Sequence, residues 1–352
     1  MAQRVLLTGT PGAVLEAVAG ALASAGLSSR HVPMGPDGGL RLEIAPGGAL
    51  AVVHLGLRTP RETDEAVRAE AEAAAAAGAA ELARAAGARR LVHVSTVGVY
   101  GKPRNLPCRE GELKAPRTAH ERIRWRAEQA SWAAFRRGAP LTVLRPTILY
   151  GPTLRGGPVR ALSLVALLAQ RRRHVPILRR GPVAHLVHLD DLARAVAHVV
   201  THPDDRAVVG RAFNVGDDAP LPLAEHLDTA LTALGYRPGR ILPALPRVAG
   251  ALLWLFRHVP DRALLEPLNR RLAERWAGLA VRARAAAAIP PRVDREALHW
   301  MSADHYYDTS RLASIGWRPL HPVSTPAVIE TIGALLAQGY LPQTGARALP
   351  AG

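Results

Sequence analysis

A glycine-containing turn near the N-terminus has the residue types that bind phosphate. The segment Thr8-Gly9-Thr10-Pro11-Gly12 separates the first apolar run from a stretch of helical composition. Small residues at such a turn let the backbone approach a pyrophosphate, and the N-terminus of the following helix favours its negative charge. An ordinary tight strand-to-helix turn has the same appearance. These five residues are therefore candidate cofactor-binding positions.

Five arginines bracket a proline-containing segment in the middle of the chain. They are Arg171, Arg172, Arg173, Arg179 and Arg180. Arginine suits bidentate capture of phosphate or carboxylate, so one interpretation is an anionic substrate such as a nucleotide sugar or an acyl carrier. The other interpretation is a solvated charged face, which is what most charge runs are.

Two histidines and two aspartates follow shortly after. His185 and His188 flank a short apolar run at a spacing of three, so on a strand their side chains point to opposite faces. This spacing opposes a shared metal ion, and we predict no metal site. Asp190 and Asp191 precede a helical stretch, where aspartate is favoured at the N-cap and in the first turn. We interpret the pair as structural.

Composition excludes several classes of protein. The chain has 352 residues, 48% hydrophobic and 21% charged, which is globular and neither disordered nor fibrous. Its formal net charge is +16, but only Lys102 and Lys114 are lysines among 45 basic residues, as is typical of a GC-rich genome. We therefore expect no nucleic-acid partner, although the charge would attract an anionic ligand.

Other features bear on redox state and location. Cys108 is the only cysteine, which excludes an intrachain disulfide and a cysteine-based zinc site. The longest apolar stretch, Val248 to Phe256, is far shorter than the roughly 18 residues of a membrane-spanning helix. Thr8 to Gly12 and Glu16 interrupt the N-terminal apolar run, so we expect no cleaved signal. We therefore expect a soluble, cytoplasmic protein.

Short apolar runs alternate with helical stretches in the first half of the chain. Strands are predicted over Arg4–Thr8, Ser28–Met34, Leu50–Leu55, Leu91–Val94 and Leu141–Leu144. Helices are predicted over Ala13–Ala25 and Glu65–Ala86, each followed by a glycine. This alternation favours βαβ units, so we predict an α/β fold with a doubly wound parallel sheet. After Gly151 the chain is mainly helical, with a long basic helix predicted over Asp261–Ala288.

Several motifs follow the glycine turn in a characteristic order. They are Val53 to Gly56, Leu91 to Gly101, Leu144 to Pro152, His188 to Ala195, Phe213 to Gly216, Tyr307 to Arg311 and Gly316 to Pro319. The ordered set resembles the extended short-chain dehydrogenase/reductase family, also called the NAD-dependent epimerase/dehydratase family. The resemblance covers roughly residues 4 to 340.

The resemblance implies two domains and a dinucleotide. Residues 1–150 would form a Rossmann domain that binds NAD or NADP, with 184–217 returning to it. Residues 151–345 would form a smaller, mostly helical substrate-binding domain. Gly9 and Gly12 would flank the pyrophosphate.

Further site residues follow from the same resemblance. The backbone of Leu55 and Gly56, together with Ser95, would pass beside the cofactor. Thr96 matches the family's catalytic Ser/Thr, which hydrogen-bonds the reacting oxygen. Three residues would lie near the nicotinamide, namely Pro146, Thr147 and Ile148.

The chain departs from the family's defining Tyr-x-x-x-Lys pair, which occurs nowhere in it. The family commonly has Glu four residues after its Lys, and Glu128 in that place puts His120 at the Tyr position and Arg124 at the Lys position. His120 titrates near neutral pH and could act as acid or base. Arg124 could bond the ribose hydroxyls, although a guanidinium is no compact ammonium. The alternative is that His120 is a surface or pocket-lining residue in a fold that has lost its reductase chemistry.

The predicted cofactor site also departs from the family's pattern. Leu15 replaces a third glycine that normally allows close helix–sheet packing, and Glu16 disfavours a nearby pyrophosphate. No acidic residue ends the second strand to take the ribose hydroxyls; Asp37 is the nearest candidate. Arg30 or Arg41 could instead contact a 2′-phosphate, so the choice between NAD and NADP stays open.

Two functions follow from these residues. One is NAD(P)-dependent oxidoreduction, epimerisation or dehydration of a hydroxyl or carbonyl small molecule by Thr96, His120 and Arg124. The alternative is a non-catalytic protein that binds a dinucleotide or small molecule as a sensor or scaffold.

Residues 248–288 leave a further choice open. They combine an apolar run, which includes Trp254, with arginines and Trp276. A basic amphipathic helix with tryptophan could lie on an anionic membrane. We favour the alternative, in which its apolar face lines a pocket for an apolar substrate or forms a homodimer contact.

Overall fold

The computed structural model describes residues 4–35, 48–57, 64–170, 174–178, 181–242 and 262–344, with positions 37, 39, 254 and 259. Its strands are β1 Arg4–Thr8, β2 Ser28–Val32, β3 Ala49–His54, β4 Arg90–Val94, β5 Leu141–Pro146, β6 Ile148–Tyr150, β7 His174–Leu178, β8 Val183–Ala184, β9 Leu186–His188, β10 Arg211–Val215, β11 Leu221–Pro222 and β12 Arg237–Leu242. Its helices are α1 Ala13–Ser24, α2 Glu65–Ala85, α3 Ala119–Phe135, α4 Pro158–Ala169, α5 Leu189–Thr201, α6 Asp205–Val208, α7 Leu223–Ala233, α8 Leu265–Arg282, α9 Arg295–Trp300, α10 Ser310–Ser314 and α11 Ser324–Ala337.

The chain divides into two compact units. The first comprises Met1–Thr147, Val187–Asp218 and Tyr307–Pro322, and the second comprises the three intervening and following segments. The return of Tyr307–Pro322 to the first unit was not anticipated from the sequence, because nothing in its composition distinguishes it from its neighbours.

A six-stranded parallel sheet forms the centre of the first unit. Its order is β10-β5-β4-β3-β1-β2. Helices α1 and α5 pack together on one side, and α2 and α3 pack together on the other. Strand β4 is buried along its whole length, as expected when helices cover both faces of a sheet. The predicted doubly wound α/β fold is confirmed.

Local sequence explains where these elements begin and end. Strand β1 ends at Thr8, where a glycine turn with positive φ at Gly9 and Gly12 redirects the chain. Helix α2 begins after Asp64, whose carboxylate accepts a hydrogen bond from the Ala66 amide. Strand β2 is shorter than predicted and ends at Val32, because Pro33 lacks an amide hydrogen for the ladder.

The second unit has its own, mainly helical core. Helices α4, α7, α8 and α11 supply most of it, with Leu167, Leu231, Trp276 and Leu335 buried among its members. Two small two-stranded pairings, β8 with β11 and β7 with β12, complete the unit. No helix in the described part of the chain is long and apolar enough to cross a bilayer.

Candidate functional site

The carboxyl ends of the parallel strands meet along one edge of the sheet. β1 leads to β2 on one side, whereas β3, β4, β5 and β10 extend to the other, so the strand order reverses between β1 and β3. In open α/β sheets, ligands bind in the crevice at such a reversal. The glycine turn follows β1 and the segment Leu55–Gly56 follows β3. Both were predicted from the sequence to lie beside a cofactor.

Gly9 and Gly56 bring these two loops into contact. A Cβ on Gly9 would lie 2.6 Å from the Gly56 carbonyl oxygen, and the φ of Gly9 is +127°. The Thr10 amide donates to that same oxygen at 3.1 Å, and the Leu55 amide donates to the Thr8 oxygen at 2.9 Å. Only glycine fits at position 9, because both its backbone conformation and its surroundings exclude a side chain.

The start of α1 has room for a ligand. Gly12 is the N-cap with a φ of +151°, it provides no side-chain cap, and an added Cβ would meet nothing within 4 Å. The first amides of α1 therefore have no side-chain partner at the cap. The Glu16 amide donates to the Gly12 oxygen at 3.0 Å, so the helix starts regularly despite Leu15.

Arg124 lies directly against Gly56. A Cβ on Gly56, whose φ is +82°, would lie 1.8 Å from Arg124 Nη1. The same Nη1 lies 3.8 Å from Glu72 Oε2, and the two side chains are 20% and 3% exposed. Neither of these two atoms has a hydrogen-bond partner among the described residues. The residue at the family's Lys position thus places its guanidinium at the carboxyl edge of β3.

Two buried histidines lie close to this guanidinium. The rings of His54 and His93 are 5.4 Å apart, and each has its Nδ1 near a hydroxyl, that of Thr8 at 2.9 Å and that of Ser131 at 3.0 Å. Burial lowers the pKa of both imidazoles, and the charge of Arg124 lowers it further, with His93 reaching about 3. Both rings are therefore neutral at physiological pH.

A buried ion pair fixes the position of α3. Arg145 on β5 donates to Glu128 Oε1 at 2.5 Å and Oε2 at 3.1 Å, and the Ser95 hydroxyl donates to Glu128 Oε2 at 2.6 Å. Burial alone would raise the pKa of Glu128, but the bonded Arg145 and Ser95 bring it below its ordinary value. This contact joins Ser95 to the helix residue that sets the register of His120 and Arg124.

Thr96 and His120 lie on neighbouring elements. Thr96 caps a short 3-10 turn, Val97–Tyr100, and its Oγ1 accepts from the Gly98 amide at 3.1 Å. A Cβ on Gly98 would lie 3.0 Å from Glu121 Cγ, so the first turn of α3 packs against the turn that holds Thr96. His120 is exposed in this first turn, one helical turn before Arg124.

The end of β5 supplies the remaining predicted positions. Pro146 is buried in β5, and the Thr147 amide donates to the Val215 oxygen at 2.9 Å. Thr147 Oγ1 is buried with no hydrogen-bond partner in the described part of the chain. Ile148 belongs to the second unit and begins β6.

The region expected to hold the adenosine ribose contains an unpredicted residue. His31 Nε2 lies 2.9 Å from the Gly9 oxygen, so β2 contacts the glycine turn through an imidazole. Asp37 accepts from the Gly39 amide at 3.1 Å, and Arg30 is exposed on β2. Arg41 lies outside the described residues.

One interpretation from sequence needs correction. The N-cap of α5 is His188, whose Nδ1 accepts from the Asp190 amide at 3.2 Å, whereas Asp190 and Asp191 occupy the first turn. The Asp191 carboxylate instead bonds the backbone amides of Leu320 and His321.

The apolar face of α8 packs inside the second unit. Trp276 is buried in that unit's core and donates to the Ala288 oxygen at 3.4 Å.

Other predictions fall outside the described residues. The five arginines Arg171, Arg172, Arg173, Arg179 and Arg180 lie there, as do most positions between 243 and 261. Sequence reasoning also missed four residues of the site, namely His31, Glu72, His93 and Arg145. A single arginine in an apolar strand was an available signal for Arg145, whereas Glu72 is one of four glutamates in the alanine-rich helix α2 and nothing in the sequence singles it out.

The sheet order, the glycine turn at the strand-order reversal and the small residues after β3 define a Rossmann-fold protein. Residues 44–216 match the sequence model of the NAD dependent epimerase/dehydratase family. The chain belongs to this family, as its motifs indicated. No curated protein sequence matches it significantly.

Solved structures share the fold at low sequence identity. A UDP-galactose 4-epimerase has a TM-score of 0.64 at 18% identity, over 96% of this chain and 99% of that one. The Bordetella bronchiseptica enzyme WbmG in complex with NAD has a TM-score of 0.63 at 16% identity, over 98% of each chain. The Thermotoga maritima UDP-glucose 4-epimerase with UDP-glucose has a TM-score of 0.62 at 16% identity, over 95% of this chain and 99% of that one.

Proposed function

We propose that this protein is an NAD-dependent oxidoreductase of the epimerase or dehydratase type with an altered acid/base pair. The observation that carries the proposal is the contact of Gly9, Gly56 and Arg124 at the strand-order reversal. Gly12 leaves the backbone open at the start of α1, and Arg124 lies against Gly56 with a buried Nη1 that has no hydrogen-bond partner among the described residues. A dinucleotide fits this arrangement because it needs close backbone approach and hydrogen-bond donors.

The residues that would hold the cofactor are those of the two loops and α3. The amides at the start of α1 and the turn from Thr8 to Gly12 would bind the pyrophosphate. Leu55 and Gly56 would contact the adenosine half, and Arg124 would bond the ribose hydroxyls. When bound, the nicotinamide ring supplies the site that accepts and returns a hydride. We propose NAD as the cofactor, and the complex of WbmG with NAD supports this choice. The alternative is NADP, whose 2′-phosphate Arg30 would contact.

Thr96 and His120 would handle the substrate's oxygen. The Thr96 Oγ1 already accepts from the Gly98 amide, so its hydroxyl hydrogen remains to be donated to a hydroxyl or carbonyl oxygen. His120 would take or return the proton of that oxygen in place of the family's tyrosine. An imidazole is suited to this exchange near neutral pH. An exposed position in the first turn of α3 lets protons pass to water.

The proposed substrate is a nucleotide-activated sugar. Related folds include epimerases of UDP-galactose and UDP-glucose, and a net charge of +16 favours a diphosphate ligand.

A direct assay tests the proposal. The purified protein would be incubated with NAD and a panel of UDP- and dTDP-sugars, and the sugar products resolved by proton NMR. Conversion of one sugar, lost in His120→Ala and retained in His299→Ala of the second unit, would support it. Conversion that is unaffected in His120→Ala would overturn the assignment of the acid/base.

A non-catalytic dinucleotide-binding protein is the second candidate. The replacement of both residues of the family's Tyr-x-x-x-Lys pair favours it. Such a protein would bind the dinucleotide at the same residues as the proposed enzyme, but it would convert no substrate. Tight NADH binding with no conversion of any sugar in the panel would support a sensor or scaffold.

A further inference from the structure

We propose that His188, Asp190 and His321 form a binding site for a divalent transition-metal ion of the zinc type. The three residues come from two distant stretches of the first unit, the start of α5 and the segment Tyr307–Pro322. One ligand atom from each lies within 4.8 Å of the other two. None of these three residues is among those assigned to the cofactor, so the proposal does not rest on the proposed function.

The two imidazoles approach each other closely. The ring centroids of His188 and His321 are 4.3 Å apart, with the planes tilted by 57°. His188 is buried, and Asp190 Oδ2 lies 3.6 Å from its Nδ1. Helix capping explains His188 and first-turn electrostatics explain Asp190, but neither accounts for a second imidazole brought to this point.

Asp191 holds the second imidazole in place. Its carboxylate is buried and accepts from the backbone amides of Leu320 and His321, the latter at 3.1 Å. Asp191 and His321 are 130 positions apart in the chain. The His321 backbone is therefore fixed against the first turn of α5, next to His188. A ligand set held by a buried hydrogen-bonding residue is preorganised for metal binding.

The donor set selects the class of metal. Two imidazole nitrogens and one carboxylate suit Zn²⁺ and its neighbours, whereas Mg²⁺ and Ca²⁺ prefer oxygen ligands alone. With Zn–N bonds of about 2.0–2.1 Å, the ligand atoms of a tetrahedral site are about 3.4 Å apart. The Asp190 side chain is 60% exposed and has room to rotate toward the two rings. Water would complete the coordination, and the ion would fasten Tyr307–Pro322 to α5.

Metal titration of the untagged, EDTA-treated full-length protein tests the site. We expect calorimetry to show one Zn²⁺ per chain, with affinity reduced at least tenfold in His321→Ala and in Asp190→Asn. His202→Ala is the matched control, because it removes a histidine from the other end of α5, 5.6 Å from the His198 ring. Its zinc affinity should equal that of the wild type.

Two further measurements separate binding from folding. Co²⁺ should produce the visible absorption of a four-coordinate site in the wild type and the control but not in His321→Ala. Zn²⁺ should raise the melting temperature of the same two proteins, reversibly with EDTA. Without metal, His321→Ala should melt like the wild type. Absence of Zn²⁺ binding by the wild type, or equal binding by wild type and His321→Ala, would overturn the proposal.

Discussion

The guanidinium of Arg124 occupies the space where any side chain at position 56 would lie. A Cβ on Gly56 would be 1.8 Å from Nη1, so glycine at position 56 and arginine at position 124 depend on each other. The forked side chain reaches the edge of β3 only because Gly56 has no side chain.

Gly56→Ala should displace Arg124 and weaken NADH binding at least tenfold. The positive φ at this position also destabilises the folded alanine variant by about 1–2 kcal/mol. Gly26→Ala is the matched control, because Gly26 has a similar φ of +77° and an added Cβ would meet nothing within 4 Å. Urea denaturation should show a similar loss of stability in both variants, whereas fluorescence titration should show weaker NADH binding in Gly56→Ala alone. Equal affinity of Gly56→Ala and Gly26→Ala for NADH would contradict a role for the contact between Gly56 and Arg124 in binding.

Glu72→Gln should weaken NADH binding roughly tenfold, about 1.4 kcal/mol, because the carboxylate holds Arg124 at Gly56. Glu70→Gln provides the comparison, since Glu70 also pairs with an arginine of α3, Arg126, but its side chain is 72% exposed. An exposed pair contributes little, so this variant should bind NADH like the wild type. A double-mutant cycle with Arg124→Ala checks the coupling; strictly additive effects of Glu72→Gln and Arg124→Ala would show that Glu72 does not act through Arg124.

Glu128→Gln should destabilise the fold by about 3–5 kcal/mol, because it leaves the buried guanidinium of Arg145 without a counter-charge. Both side chains are at most 3% exposed. Glu65→Gln, which breaks an ion pair with Arg122 of 2.6 Å at the surface, should cost less than about 1 kcal/mol. Urea denaturation measures the free energy of unfolding of both variants. A loss in Glu128→Gln no larger than in Glu65→Gln would mean that the pair of Glu128 and Arg145 does not fix α3.

Stability should fall as the pH is lowered from 7 to 5, because His54 and His93 are neutral in the fold. The pKa of His93 is about 3 in the folded protein, against an ordinary value of 6.5. The unfolded chain therefore binds protons in this range that the folded chain does not. Each such histidine contributes up to about 1.4 kcal/mol per pH unit below its unfolded pKa. His93→Gln should flatten the dependence of unfolding free energy on pH, and an unchanged dependence in this variant would contradict the account.

Local features of the site could be predicted from sequence, and long-range ones could not. An apolar run followed by two glycines predicted strand β1 and the turn that contains Gly9 and Gly12. A second apolar run predicted strand β3, which Gly56 follows. Glu128 was used to predict the register of α3, and it bonds Ser95 and Arg145 in the structure. Those partners are buried polar residues in apolar strands, and a sequence gives no indication of which charges will pair across elements. The matching of His120 and Arg124 to the family's pair stays a prediction.

Pairings between distant segments were the least predictable. Glu72 and Arg124 meet because α2 and α3 pack side by side, and His188 and His321 meet because Tyr307–Pro322 returns to the first unit. The spacing of His185 and His188 predicts no ion shared between those two residues, and the imidazole that lies beside His188 comes from another part of the chain. The N-cap of α5 differed from expectation because an imidazole nitrogen can accept the amide that an aspartate usually takes.

Titration of the wild type, Arg124→Lys and Arg124→Ala with NADH and NADPH tests the central claim most directly. We expect micromolar binding of NADH by the wild type, near-wild-type binding by Arg124→Lys and at least tenfold weaker binding by Arg124→Ala. Circular dichroism would establish that each variant is folded. Failure of the folded wild type to bind either nucleotide, or equal binding by wild type and Arg124→Ala, would contradict the account of this cleft.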